Sequence, residues 1–132
     1  MMIFVASLVQ FILGALWYSP IMFGKKWMVI MGASNCTKEE LQKMQKQMTP
    51  FYLLQFVLTI VFTWELSHVL GAGTLLNPYF LAFATWIGFI VPIQVSGVIW
   101  GSTKKEFWLA QILIMTSYQL VGIMLATWFL TM

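Results

Sequence analysis

The chain has 132 residues, of which 61% are hydrophobic and only 8% charged, with ten Met and seven Trp. A membrane-crossing helix needs roughly 20 apolar residues, so this length makes one domain, residues 1–132, of about four crossings, with no room for a soluble catalytic domain. The net charge of +3 comes from Lys and Glu alone. Without the planar fork of Arg, recognition of bases and phosphates is disfavoured; nucleic acid is excluded as a partner and anionic lipid headgroups are favoured.

Four apolar runs, about 1–18, 50–70, 78–100 and 107–131, are predicted as helices, because backbone groups in lipid must be bonded within the segment and the runs do not alternate as strands do. The fold class is therefore all-α, an integral membrane four-helix bundle. In the first run Ser7, Gln10, Gly14 and Trp17 share one face. No basic segment precedes that run and polar residues interrupt it, so a retained helix is expected rather than a cleaved signal peptide. At its end Trp17, Tyr18, Ser19, Pro20, Phe23, Gly24, Lys25 and Trp27 concentrate rings and lysine around a Pro and a Gly. Such residues prefer the headgroup level, Pro20 stops the helix and Gly24 permits a turn: an interfacial elbow, whose aromatic belt needs no ligand to explain it.

The stretch Gly14-Ala15-Leu16-Trp17-Tyr18-Ser19-Pro20 with Phe23-Gly24-Lys25 and Trp27 resembles a signature of small four-helix prokaryotic membrane proteins known as a domain of unknown function. The resemblance extends over nearly the whole chain, through Trp86-Ile87-Gly88-Phe89 and Ser117-Tyr118-Gln119-Leu120-Val121. It implies fold and topology; it carries over no activity and no functional residue. Members often have His after that tyrosine, where this chain has Gln119.

The first loop is the only long polar stretch. Thr37-Lys38-Glu39-Glu40 has the form of a capping box, and Leu41, Met44 and Met48 follow at helical spacing, predicting an amphipathic segment over about 37–48. Pro50 suits a first helical turn. In the second run Glu65 and His68 are the sole side chains that can carry charge near neutral pH. A carboxylate in hydrocarbon costs at least about 2.5–3.5 kcal/mol, so one that persists is expected to face protein, water or a partner. Placed about 7 Å outward of the middle of its helix, Glu65 shares a face with His68 and is the candidate intramembrane proton or ion site.

Gly71 to Asn77 form a short link, which predicts a tight hairpin with the third run, where Pro92 is expected to kink the helix beside Gln94. In the fourth, Gln111, Met115, Tyr118, Gly122 and Ala126 share a face. Ala84 to Gly88, Gly97 to Gly101 and Gly122 to Ala126 are small-xxx-small spacings that let helices approach closely. Gln10, Gln55, Gln94, Gln111, Tyr118 and Gln119 are the candidate cavity-lining residues.

Lysines 25, 26, 38, 43 and 46 fall in the first loop and 104 and 105 in the third, which places those loops in the cytoplasm and both termini outside, in a multi-pass protein of the cell inner membrane. One His and one Cys on opposite sides make no metal site, and no phosphate loop or nucleophile arrangement is present, so neither a cofactor nor an enzyme is expected. Two functions remain. In one, a homo-oligomer gathers Glu65 and His68 to bind or translocate protons, a small cation or a polar solute; in the other, an accessory subunit docks a membrane-protein partner or organises lipid.

Overall fold

The computed structural model describes residues 1–73 and 75–132, and among them the chain is all-α. Thr74, in the predicted hairpin link, lies outside the described residues. Five helices follow one another: α1 (Met2–Trp17), α2 (Gly24–Ile30), α3 (Lys38–Ala72), α4 (Pro78–Ile99) and α5 (Trp108–Thr131). Lys38–Ala72, Pro78–Ile99 and Lys105–Thr131 are long and apolar enough to cross a membrane, whereas α1 is a shorter apolar helix of 16 residues.

The predicted 37–48 segment and second apolar run prove to be one helix of 35 residues. Both bonds of the capping box start it: the Glu40 amide donates to Thr37 Oγ1 at 3.2 Å, and the Thr37 amide donates to a Glu40 carboxylate oxygen at 3.1 Å. Pro50 lies inside this helix rather than at a start. Proline costs one interior hydrogen bond there, and the helix continues through it. At about 1.5 Å per residue α3 is about 52 Å long, well beyond a hydrocarbon core of about 30 Å. Apart from Leu41, all of its residues up to Leu54 are exposed.

Helix α5 is the central element, packing on α1, on α4 and on part of α3, while α1 also packs on α3. The core gathers Ala6, Leu66, Ala82, Ile123 and Ala126, with Phe62, Leu70 and Trp86 against it. Three of these are alanines. Lipid tails are as apolar as side chains, so helices in a membrane associate through close van der Waals packing rather than the hydrophobic effect, and small residues permit that approach. Only one predicted small-residue spacing serves it here: Gly122 and Ala126 are buried, but Ala84, Gly88 and Gly97 are exposed, and nothing stands within 4 Å of where a side chain on Gly88 or Gly97 would begin.

Helices α3 and α4 meet at the hairpin, where a side chain on Gly73 would strike Leu81, and touch little elsewhere. In place of the expected simple kink at Pro92, α4 carries a π-helical turn at Trp86–Ile90, in which the Val91 amide reaches back to the Trp86 carbonyl. Pro92 lacks an amide and its ring crowds the carbonyl four residues earlier, that of Gly88. One wider turn just before it accommodates both effects.

Helix α2 was not foreseen; its seven residues were expected as loop. The chain reverses between α1 and α2 through amide bonds from Phe23 to the Trp17 carbonyl (3.0 Å) and from Gly24 to the Ser19 carbonyl (2.8 Å). Gly24 is buried so tightly that a Cβ there would lie 2.4 Å from the Ser19 carbonyl carbon and 2.5 Å from the Tyr18 oxygen. Backbone cannot yield as a side chain can. Gly24→Ala is therefore expected to lower stability by about 1–3 kcal/mol, whereas Gly71→Ala, which meets nothing within 4 Å, leaves it unchanged or slightly raised; denaturant titration in micelles distinguishes the two.

Candidate functional site

The arrangement around Gln10 sets the interior. Its side-chain amide donates to Thr63 Oγ1 at 2.8 Å and, more weakly, to the Ala6 carbonyl at 3.3 Å, and Gln10 is 4% exposed. Thr63 in turn donates to the Thr59 carbonyl at 2.8 Å, and the Tyr118 hydroxyl donates to the Gln10 carbonyl at 3.3 Å. Three helices, α1, α3 and α5, are thus joined at the midpoint of α1. Two indoles fix α5 further: Trp17 Nε1 donates to the Ile114 carbonyl at 3.1 Å and Trp86 Nε1 to the Thr116 carbonyl at 2.8 Å. Gly14 makes room for this centre, since a Cβ there would lie 2.9 Å from the Tyr118 hydroxyl.

Beside this clasp, between the diverging parts of α3 and α4, lies a crevice of about 430 Å³. Five of the six candidate lining residues reach it: Gln10, Gln55, Gln94, Tyr118 and Gln119. Gln111 does not; it is buried elsewhere on α5, and its Oε1 has no hydrogen-bond partner. Sequence reasoning missed the other members. Leu58, Thr59 and Phe62 come from α3, and Thr85, Phe89, Ile90 and Ile93 from α4. Their signal was present as helical spacing, Gln55 with Thr59 and Thr85 with Phe89 and Ile93, but nothing in the sequence says that two apolar helices leave a gap.

The rim is apolar and exposed, with Leu58 at 52%, Phe89 at 69% and Ile93 at 70%. Most polar groups inside are already engaged: Thr59 donates to the Gln55 carbonyl and Thr85 to the Leu81 carbonyl, both at 2.9 Å. One is not. Gln94 Oε1 is buried without a partner. No ionisable side chain other than the Tyr118 phenol lines the crevice. A second depression, between Gln42 and Tyr52, is formed by α3 alone on its exposed flank and holds nothing in place.

Glu65 and His68 lie outside the crevice and both are exposed. The enclosed acid that the sequence predicts is not enclosed within the chain, because α1 and α5 pack on the opposite, Thr63 and Leu66, side of α3. His68 Nδ1 sits 3.0 Å from the Trp64 carbonyl, and its ring meets the Trp64 ring edge-on at 4.5 Å; its partner is its own helix, not Glu65. Along the axis Glu65 lies about 3 Å beyond Thr63, the residue of α3 that meets the midpoint of α1.

The elbow residues form a stacked aromatic cluster. Tyr18 meets Trp27 at 4.9 Å and Tyr118 at 5.7 Å, Trp17 meets Phe23 at 5.2 Å, and Ser19 Oγ donates to the Leu16 carbonyl at 2.6 Å. Lys25 and Pro20 are exposed. Each buried elbow residue has a packing role.

Among the described residues, an all-α architecture with three helices of membrane-crossing length and apolarity is that of a membrane protein. Within that class the chain belongs to the family described as Protein of unknown function (DUF1761), whose model matches residues 1–131. No curated protein and no solved structure matches the chain.

If the Gln10–Thr63 bond joins α1 to α3, a double-mutant cycle of Gln10→Leu and Thr63→Val should give a favourable coupling of about 0.6 kcal/mol, and at most about 1.7 kcal/mol, in denaturant unfolding from micelles. Strictly additive effects would show that the bond contributes nothing.

Proposed function

We propose that this is a multi-pass membrane protein of four crossings, with its lysine-rich loops in the cytoplasm and both termini outside, that binds a polar, uncharged molecule in the crevice between α3 and α4. The observation that carries the reading is a crevice of about 430 Å³ lined by four glutamines, two threonines and a tyrosine. That volume falls within the range of ligand sites, about 300–1,000 Å³. Of the cargoes open to the sequence, the polar solute is favoured over the proton and the cation. A charge entering a site of neutral amides and hydroxyls would lose its hydration without a counter-charge to replace it. The role is binding or carriage rather than catalysis.

We propose further that the protein is a homo-oligomer, and Glu65 supports this. It is exposed, two residues beyond the Thr63 that bonds Gln10, and a second copy covering that flank of α3 would remove it from lipid. A partner-docking role, the accessory-subunit reading, is favoured by one separate observation: the first three turns of α3 extend from the packed helices with nearly every residue exposed.

Ligand-dependent unfolding tests the choice. A ligand at one hundred times its Kd stabilises by about 2.7 kcal/mol. Uncharged hydroxyl and amide compounds, presented to the purified protein in micelles, are expected to raise its unfolding temperature, and Gln119→Leu or Gln94→Leu to abolish the shift. Stabilisation by Na⁺, K⁺ or Ca²⁺ that disappears in Glu65→Gln would instead establish the ion-binding reading.

A further inference from the structure

Resting on the reading of the crevice as a site for uncharged molecules, we infer that its ligand is a lipid alcohol, an uncharged amphiphile with a free hydroxyl and aliphatic tails, which reaches the site sideways from the bilayer. Three observations converge on this class. The first is the unmet demand inside. Gln10, Thr59, Thr85 and Tyr118 already spend their donors on protein oxygens, whereas the side chains of Gln55, Gln94 and Gln119 in the crevice wall are left without a partner, Gln94 Oε1 among them. A buried acceptor without a donor forfeits a hydrogen bond, and a hydroxyl on the ligand supplies it.

The second is depth. Gly88, inside the π turn, is close to the midpoint of α4, and Gln94 stands six residues beyond it toward the Lys104 loop, about 9 Å along the axis. With the middle of α4 taken at the bilayer midplane, a hydrocarbon half-thickness of about 15 Å sets that level a few ångströms below the headgroups, the level at which an alcohol with a minimal head and long tails holds its hydroxyl. The third is the path. Leu58, Phe89 and Ile93 are exposed at the rim on α3 and α4, so the opening is greased on both sides and faces the tails rather than an aqueous loop. A water-borne polar solute has no use for such a rim, and a phosphate-bearing lipid would find no cation in the crevice to meet its charge.

Native mass spectrometry of the full chain released from micelles tests this with three probes: dioleoylglycerol, dioleoyl phosphatidic acid with the same tails but a charged head, and glycerol without tails. The expected result is a one-to-one dioleoylglycerol adduct with apparent affinity at least about tenfold above that of phosphatidic acid. Gln94→Leu, which adds no polar group to the interior and should fold, is expected to weaken it about tenfold. Leu58→Trp, filling the rim, should also weaken it, and Glu65→Gln, outside the crevice, should leave it unchanged. Equal binding of phosphatidic acid, or indifference to Gln94→Leu, would overturn the inference. Glycerol binding without dioleoylglycerol binding would overturn the lipid-borne ligand while leaving the uncharged-ligand site intact. Cation-dependent stabilisation that follows Glu65, with no adduct of any probe, would remove both.

Discussion

Gln10 is the residue on which the interior depends. An amide in the middle of an apolar helix must be satisfied by protein, because neither lipid nor water is at hand to do it. Its bond to Thr63 and the Tyr118 bond to its carbonyl hold α1, α3 and α5 in one register. Once α3 is committed to α1 on its Thr63 side, it lies along α4 only near the hairpin, and the space left over becomes the crevice. Structure and candidate site are thus two consequences of a single polar contact.

The same centre explains residues that would otherwise invite a functional reading. Gly14 clears space for the Tyr118 ring, Gly24 lets α2 begin against the backbone of Tyr18 and Ser19, and Trp17 ties the end of α1 to α5. Their roles are structural, and they surround the crevice without lining it, except for Tyr118 through its own ring. A scaffold of this kind says little about what occupies the gap.

Much of the architecture was legible in the sequence because hydrophobic length and capping chemistry are local. The apolar runs became helices with ends shifted by only a residue or two, apart from the second, which merged with the segment begun by Thr37 and Glu40. Polar stripes on α1 and α5 turned inward, since Ser7 and Gln10 are buried beside Gly122 and Ala126. What stayed hidden was relational. Glu65 reads as enclosed when its helix is considered alone, but which side of α3 is covered depends on Gln10. Helix α2 depends on a backbone contact at Gly24 and not on propensity. The π turn left only Pro92 as a trace, and Gln111 shares a stripe with Tyr118 while missing the crevice entirely.

The central claim is that α3 and α4 meet at the hairpin and part around a crevice, and paired cysteines in native-like membranes test it most directly. With Cys36→Ser as background, Gly73→Cys with Leu81→Cys places two sulfurs where a Cβ added to Gly73 would meet the Leu81 side chain, while Leu58→Cys with Ile93→Cys places them on opposite lips of the opening. A disulfide needs Cβ atoms about 3.5–4.5 Å apart. Under mild oxidation the hairpin pair should close rapidly and the rim pair should stay reduced. Rim cysteines that join as fast as those at the hairpin would mean that the two helices lie together along their length and that there is no crevice to fill.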